Sequence, residues 1–248
     1  MCVFPRALLA PGSLRTRFQL IFDIGSGEPV PYAAECLTRG PRHSRYERAE
    51  ALFRRARRLG REPEVDRAAI AAAFEAARHF HVVERLFLNV HPATLRREPG
   101  FAAFLATLAA RHRIAMGQLT VELLEHSRHE LDDSLRAALT NLRAAGVRIA
   151  IDDCGASASD RVLVEACCPD FVKIDRELLW EAGRSRAQRQ LLAGMLSLGG
   201  GATVAIAEGV ETIADLITAR DLGIQLIQGF LVGRPMQASA PRGSWRVS

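Results

Sequence analysis

The chain has 248 residues, of which 48% are hydrophobic and 25% are charged, a globular composition that excludes disordered and collagen-like proteins. The net charge of +5 suits an anionic ligand but gives no reason to expect DNA binding. The five cysteines form no Cys-x-x-Cys pair, and no apolar run is long enough to span a bilayer, so we expect a cytoplasmic protein without disulfides, structural zinc or a membrane span.

Short runs rich in Val, Ile, Leu and Phe alternate with alanine- and arginine-rich stretches of helical periodicity. The predicted strands, in chain order, are 18–24, 32–37, 86–90, 119–124, 147–151, 171–174, 203–207 and 226–230. The predicted helices are 48–59, 65–78, 101–113, 131–145, 160–166, 185–198 and 212–222. A short Gly-Ser-Gly-Glu-Pro turn after the first strand predicts a hairpin, so the first strand is expected to be antiparallel.

Eight strands with intervening helices favour a TIM-like (β/α)8 barrel. A doubly wound open sheet is the competing fold, but no Gly-x-Gly-x-x-Gly follows the first strand. We expect an N-terminal extension over 1–16, the barrel domain over 17–240 and a C-terminal tail over 241–248. The stretch 42–61 is dense in arginine, with Glu47 and Glu50 interspersed. We expect a solvated helix face there rather than a phosphate-binding patch.

Polar residues recur at the ends of the predicted strands, and in a barrel all these ends meet at one face. Lys173 is the only lysine of the chain. The residues are Glu35, Asn89, Glu122, Glu125, Asp152, Asp153, Lys173, Asp175, Glu208 and Gln228. Taken singly, each is readily explained as a helix cap, a turn residue or a core amide. Their recurrence at nearly every strand end favours a functional site.

Several acids in one crevice are costly to bury without positive charge. Carboxylate and carboxamide oxygens suit Mg²⁺ or Mn²⁺ rather than zinc. Two such ions sharing an aspartate are a common arrangement for phosphodiester hydrolysis. A nearby lysine such as Lys173 would help orient the attacking water and stabilise developing negative charge.

These motifs resemble the EAL domain, the family of cyclic-di-GMP phosphodiesterases, over about residues 18–236. The opening strand 18–24, Glu35-Cys36-Leu37 in place of Glu-Ala-Leu, and Lys173-Ile174-Asp175 carry the resemblance. The remaining matching segments are Leu88-Asn89-Val90, Glu122-Leu123-Leu124-Glu125, Asp152-Asp153-Cys154-Gly155, 207–212, and 228–230 with 233–235.

The resemblance implies a TIM-like barrel that hydrolyses cyclic-di-GMP to linear pGpG with two Mg²⁺ or Mn²⁺ ions per site. Lys173 would contact the nucleophilic water, and Gln228 would order the shell of water and metal. Glu35, Asn89, Glu122 and Asp152 would hold one metal, and Asp152, Asp153 and Glu208 the second. Gln19, Leu37, Arg39, Asp175 and Gln228 would contact the substrate. Glu125 would support the loop after the fifth strand and Glu211 the loop carrying Glu208. A homodimer and a separate sensor or signalling protein are expected partners.

The loop after the aspartates departs from the family pattern. The family usually has Thr-Gly-Tyr-Ser-Ser-Leu where this chain has Ala-Ser-Ala-Ser-Asp-Arg at 156–161, and Cys154 replaces a phenylalanine. The sequence therefore supports binding chemistry better than fast turnover. Two other hypotheses stay open. One is an EAL-like module that binds cyclic-di-GMP or a protein partner without cleavage. The other is a different barrel hydrolase acting on a phosphodiester or, without metal, on a glycoside.

Overall fold

The computed structural model describes residues 6–80, 82–83, 85–124, 131–155, 157–199 and 202–239. Its eight strands close into a barrel in the order β1 to β8, which confirms the predicted fold. The strands are β1 Arg15–Asp23, β2 Val30–Arg39, β3 Leu86–Val90, β4 Leu119–Leu123, β5 Arg148–Cys154, β6 Phe171–Ile174, β7 Val204–Ala207 and β8 Leu226–Ile227. The first strand is antiparallel to both of its neighbours, β2 and β8, as predicted. All other neighbouring pairs are parallel.

The helices of the described residues surround this barrel. They are α1 Ala49–Arg58, α2 Glu62–Ala77, α3 Pro92–Arg97, α4 Phe101–His112, α5 Asp133–Ala144, α6 Ala158–Cys167, α7 Arg176–Arg184, α8 Arg186–Leu198 and α9 Ile213–Asp221. The sequence pattern did not predict α3 and α7. Both are short and follow a strand directly, so neither supplies the long apolar period that indicates a helix. None of these helices is long and apolar enough to cross a membrane.

Alternation along each strand separates outward-facing core residues from inward-facing ones. Outward-facing residues such as Phe18, Leu88 and Val121 pack against the helices in the larger core cluster. Inward-facing residues fill the barrel. Seven of them form a separate cluster, comprising Ile21, Ala33, Phe87, Ala150, Phe171, Ile206 and Leu226. This apolar layer forms the floor beneath the site.

Candidate active site

A layer of polar side chains lies directly above the apolar layer of the barrel. Each polar residue is two positions along the chain from a floor residue, either within the same strand or just past its end, which places both on the inward side. Thr120 of β4, which is fully buried, completes the floor. The polar layer consists of Gln19, Glu35, Asn89, Glu122, Asp152, Lys173, Glu208 and Gln228, one at or beside each of the eight strands.

Lys173 lies at the centre of this layer and is 1% exposed. Its ammonium contacts carboxylates from four different strand ends. The distances from Nζ are 2.7 Å to Glu122 Oε1, 2.7 Å to Glu208 Oε1, 3.2 Å to Glu35 Oε2 and 3.2 Å to Asp152 Oδ1. Separate sequence positions therefore converge as predicted.

Two amides tie Glu35 into the same network. Asn89 Nδ2 donates to Glu35 Oε1 at 2.9 Å, and Gln228 Nε2 donates to Glu35 Oε2 at 2.8 Å. The second oxygen of Glu35 thus accepts from both Gln228 and Lys173. Hydrogen bonds of this kind fix a carboxylate in one orientation, so the carboxylate of Glu35 is held toward Lys173.

One ammonium does not balance four carboxylates in a buried crevice. Burial, followed by the negative charge of Glu35, raises the pKa of Glu122 well above its usual value. Burial also raises the pKa of Glu208 to about 8, against the opposing effect of Lys173. For Lys173, burial lowers the pKa, but the surrounding acids outweigh it, led by Glu122, and the pKa lies well above its usual value. The layer therefore has an excess of negative charge that an added cation would neutralise.

The donor set fits a hard divalent cation. Glu122 Oε2 and Gln228 Oε1 are buried oxygens without a hydrogen-bond partner among the described residues. Carboxylate oxygens of Asp152, Asp153 and Glu208 all lie within 4.8 Å of one another. Unsatisfied buried oxygens are rare in folded proteins, and oxygen-only donor sets are typical of Mg²⁺ and Mn²⁺.

The sequence predicted that Asp152 and Asp153 follow the fifth strand, but both lie within β5. The pairing of β5 with β6 shifts register between Ile151 and Cys154, and Asp153 has a φ of +48°. This left-handed conformation is uncommon for a residue other than glycine. The bulge turns Asp153, which is exposed, toward the group that includes Asp152 and Glu208.

The predicted substrate-binding residues lie around the barrel mouth. Gln19 pairs directly with Glu35 across β1 and β2, and Leu37 and Arg39 follow on the same inward face. The carboxylate of Asp175 caps α7, where Oδ1 accepts from the backbone N–H of Leu178 at 2.6 Å. These placements leave their substrate contacts as predictions.

Of the two predicted loop-supporting acids, only Glu211 can be placed. Its carboxylate accepts from Arg176 Nη1 at 2.7 Å. Glu125 lies outside the described residues. The support of the loop carrying Glu208 by Glu211 remains a prediction.

A family model described as the EAL domain matches residues 3–235. The chain belongs to the EAL domain family.

Curated relatives of this EAL domain are longer proteins. The blue light- and temperature-regulated antirepressor BluF of Escherichia coli K12 is 26% identical over 177 residues, covering 71% of this chain and 44% of BluF. The bifunctional diguanylate cyclase/cyclic di-GMP phosphodiesterase MucR of Pseudomonas aeruginosa is 33% identical over 129 residues, covering 52% of this chain and 19% of MucR. The chain therefore spans less than half the length of these relatives.

Solved structures share the fold over most of the EAL domain. Klebsiella pneumoniae BlrP1, in a complex with calcium and cyclic-di-GMP, has a TM-score of 0.80 at 26% identity, covering 100% of this chain and 60% of BlrP1. Its manganese and cyclic-di-GMP complex at pH 6 has a TM-score of 0.79 at 26% identity, covering 93% of this chain and 58% of BlrP1. The Xanthomonas citri FimX EAL domain, at 16% identity and a TM-score of 0.81, covers 96% of this chain and 94% of the FimX chain and supports the fold alone.

A buried network beside Asn89 was not predicted from the sequence of this EAL domain. Asp66 of α2 is fully buried and accepts from the backbone N–H of His91 at 2.9 Å and from the Thr94 hydroxyl. Its other oxygen contacts His91 Nδ1 at 2.9 Å. The network anchors α2 to the end of β3, two residues after Asn89. An acid on the apolar face of a predicted helix, between Val65 and Ala69, is the signal that would have found it.

Proposed function

We propose that this EAL domain binds cyclic-di-GMP and hydrolyses one of its phosphodiester bonds to give linear pGpG, at a slow rate. The observation that carries the proposal is the polar layer, in which Lys173 contacts four carboxylates from four strand ends. Relatives named as cyclic di-GMP phosphodiesterases, and related structures solved with cyclic-di-GMP, support the choice of substrate.

Two divalent cations, Mg²⁺ or Mn²⁺, complete this site. Glu35, Asn89, Glu122 and Asp152 would hold one, and Asp152, Asp153 and Glu208 the other. The titles of related structures name calcium and manganese, which supports a requirement for divalent metal. Such ions supply positive charge to phosphate oxygens and promote deprotonation of water.

The residues of the chain then orient the reaction. Lys173 keeps its ammonium charged, because its pKa lies well above the usual value, so it donates to the attacking water and stabilises developing negative charge. Gln228 and Asn89 hold Glu35 in place, and Gln228 orders the neighbouring water. Arg39 contacts a substrate phosphate, while Gln19, Leu37 and Asp175 position the nucleotide.

We further propose a cytoplasmic location, a barrel domain over 17–240 between an extension over 1–16 and a tail over 241–248, and regulation by a separate sensor or signalling protein. A homodimer is the expected assembly. Glu125 would support the loop after the fifth strand and Glu211 the loop that carries Glu208, with Glu211 acting through Arg176.

A turnover assay tests the proposal. The protein is incubated with cyclic-di-GMP and excess Mn²⁺ or Mg²⁺, and pGpG is followed by chromatography, with EDTA as the metal-free arm. We expect pGpG only with metal, and none from Glu35→Ala. The matched control Glu75→Ala removes an exposed acid from α2 and should retain wild-type turnover. Full activity of Glu35→Ala contradicts the metal assignment, and hydrolysis in EDTA favours a metal-independent barrel hydrolase.

A second candidate function is a binding module that holds cyclic-di-GMP, or a protein partner, without cleaving it. The favouring observation is the altered loop after β5, together with a relative named as an antirepressor. In the same assay this function predicts intact cyclic-di-GMP after long incubation. Calorimetric binding of the uncleaved dinucleotide then separates a cyclic-di-GMP receptor from a module that binds only a protein.

A further inference from the structure

The end of β3, which carries Asn89, is paired along one edge within the described ranges of the chain. On the side of β2, the strand register ends with Cys36 opposite Leu88, one residue before Asn89. On the side of β4, the pairing continues through Asn89 and Val90. Segments with fewer backbone hydrogen bonds open more easily. The position of Asn89 therefore depends on a contact other than strand pairing with β2.

The buried network around Asp66 supplies such a contact. The Asp66 carboxylate accepts from the backbone N–H of His91 at 2.9 Å and from the Thr94 hydroxyl, and its Oδ1 lies 2.9 Å from His91 Nδ1. Phe53 of α1 adds a second contact, since its ring centroid lies 4.9 Å from that of His91. Both α1 and α2 belong to the connection from β2 to β3. The network thus joins the end of β3 to the segment that follows β2.

The network favours one position of the strand end. Asp66 and Thr94 are fully buried, and His91 is 3% exposed. A buried carboxylate costs free energy unless its oxygens accept hydrogen bonds. Because several donors from residues just after β3 converge on this one carboxylate, a displacement of the strand end would weaken several hydrogen bonds at once.

Asn89 connects this strand end to Glu35. Its Nδ2 donates to Glu35 Oε1 at 2.9 Å, whereas Gln228 and Lys173 contact the other oxygen, Oε2. A carboxamide accepts through its oxygen alone, so with Nδ2 directed at Glu35, Oδ1 is the atom of Asn89 that can bind a cation. A shift of β3 would therefore disturb two predicted ligands of the same cation together.

We propose that His91, held by Asp66, is a positioning residue for the cation site formed by Glu35 and Asn89. His91 acts through the backbone of β3, which places Asn89 beside Glu35. The inference rests on the divalent-cation site of the proposed function and adds to it two residues that are not ligands. Residues that orient metal ligands typically change metal affinity by about 10- to 100-fold when they are replaced.

Isothermal titration calorimetry with Mn²⁺ alone, on the full chain and without cyclic-di-GMP, tests this role. Glu35→Ala identifies the binding event that depends on Glu35. We expect His91→Ala and Asp66→Asn to bind Mn²⁺ about tenfold more weakly in that event. His91→Asn should bind like the wild type, because its side-chain N–H can donate to Asp66 in place of Nδ1.

A matched control separates positioning from a general loss of stability. Leu192→Ala removes a side chain from α8 that is 3% exposed, in the connection between β6 and β7. It should lower the urea midpoint of unfolding, as His91→Ala does, and leave the Mn²⁺ affinity unchanged. If Leu192→Ala weakens Mn²⁺ binding as much as His91→Ala, the positioning role is wrong.

The outcomes distinguish this inference from the proposed hydrolysis. Wild-type Mn²⁺ affinity in both His91→Ala and Asp66→Asn overturns the inference and leaves the cation site in place. Undetectable Mn²⁺ binding by the folded wild type overturns it together with the cation assignment. If Mn²⁺ binds and the variants weaken it as expected, the inference holds even when no pGpG is formed. If Asp66→Asn fails to fold, the comparison of His91→Ala with His91→Asn decides.

Discussion

The two inward-facing layers of the barrel use the same strands but opposite chemistry. In the floor, Phe87 and Phe171 lie with ring centroids 5.2 Å apart, among aliphatic neighbours. Two positions further along those strands, Asn89 and Lys173 join a network of acids. The floor lowers the free energy of the folded state through burial of apolar surface. The polar layer concentrates like charges and raises the pKa of Glu122 and Glu208.

This contrast separates stability from function within one barrel. Burying unbalanced carboxylates costs free energy that a structural core would avoid, so the polar layer fits the binding role proposed for it.

The largest effect is expected in the floor. Phe87→Ala removes a fully buried ring and should lower the free energy of unfolding by about 3–5 kcal/mol, as measured by urea denaturation. Phe87→Leu, which keeps most of the volume, should lose about 1.5 kcal/mol or less. Equal losses for the two variants would contradict the role of the floor as a packed core.

The corresponding change in the polar layer should affect turnover. Lys173→Met keeps the length of the side chain but removes the ammonium that contacts four carboxylates. We expect the initial rate of pGpG formation to fall about 100-fold or more. Phe87→Leu should retain most of the activity in the same assay. Near-wild-type turnover of Lys173→Met would show that the ammonium takes no part in the reaction.

Divalent cations should stabilise the folded protein by binding to the polar layer, since the apolar floor offers them no ligands. Mn²⁺ or Mg²⁺ at 100 times its dissociation constant should raise the free energy of unfolding by about 2.7 kcal/mol, and EDTA should reverse the effect. Differential scanning fluorimetry of wild type and Glu208→Gln checks this, with a smaller metal response expected for the variant. An identical melting temperature with Mn²⁺ and with EDTA would contradict the cation assignment.

Asp66 is a buried acid that accepts several hydrogen bonds, and unlike the acids of the polar layer it should contribute to stability. Asp66 accepts from His91 and Thr94, so Asp66→Asn replaces an acceptor by a donor and should lower the free energy of unfolding by about 2 kcal/mol. Asp221→Asn, at an exposed position of α9, is the matched control and should change stability little. A neutral Asp66→Asn would mean that the network does not anchor β3 to α2.

The smallest effect concerns the dependence of stability on pH. The pKa of Asp215 is shifted downward, whereas the pKa values of Glu122 and Glu208 in the polar layer are shifted upward. Burial alone would raise the pKa of Asp215, but hydrogen bonds from Trp180 and from the backbone of Glu211 and Thr212 outweigh it and lower the pKa. At acidic pH the unfolded chain then binds more protons than the folded protein does. The contribution of Asp215 to the free energy of unfolding is therefore present above pH 3.8 and is lost as the pH falls further.

Asp215→Asn removes this acid-dependent loss. We expect it to be about 1 kcal/mol less stable than the wild type at neutral pH, with the difference shrinking below pH 3.8. Urea titrations at pH 7 and pH 3 measure both values. A difference that stays constant with pH would contradict the lowered pKa.

Local pattern was sufficient for the strands and for most of the site. The predicted strands 86–90 and 171–174 coincide with β3 and β6, because short apolar runs between turn signals are local features. Period-two alternation also places Asn89 and Lys173 on the same face as their floor residues. The strand order, together with the rule that the carboxyl ends of parallel strands share one face, was enough to expect that these residues converge.

Tertiary structure decided what depends on pairing between distant segments. The position of Asp153 in a bulge depends on the register of β5 against β6. The Asp66 network depends on the packing of α2 against the end of β3. The sequence determined which residues alternate inward, because side-chain direction follows the backbone period. Only closure of the barrel decided which of them meet, because contact between distant residues is set by register and packing.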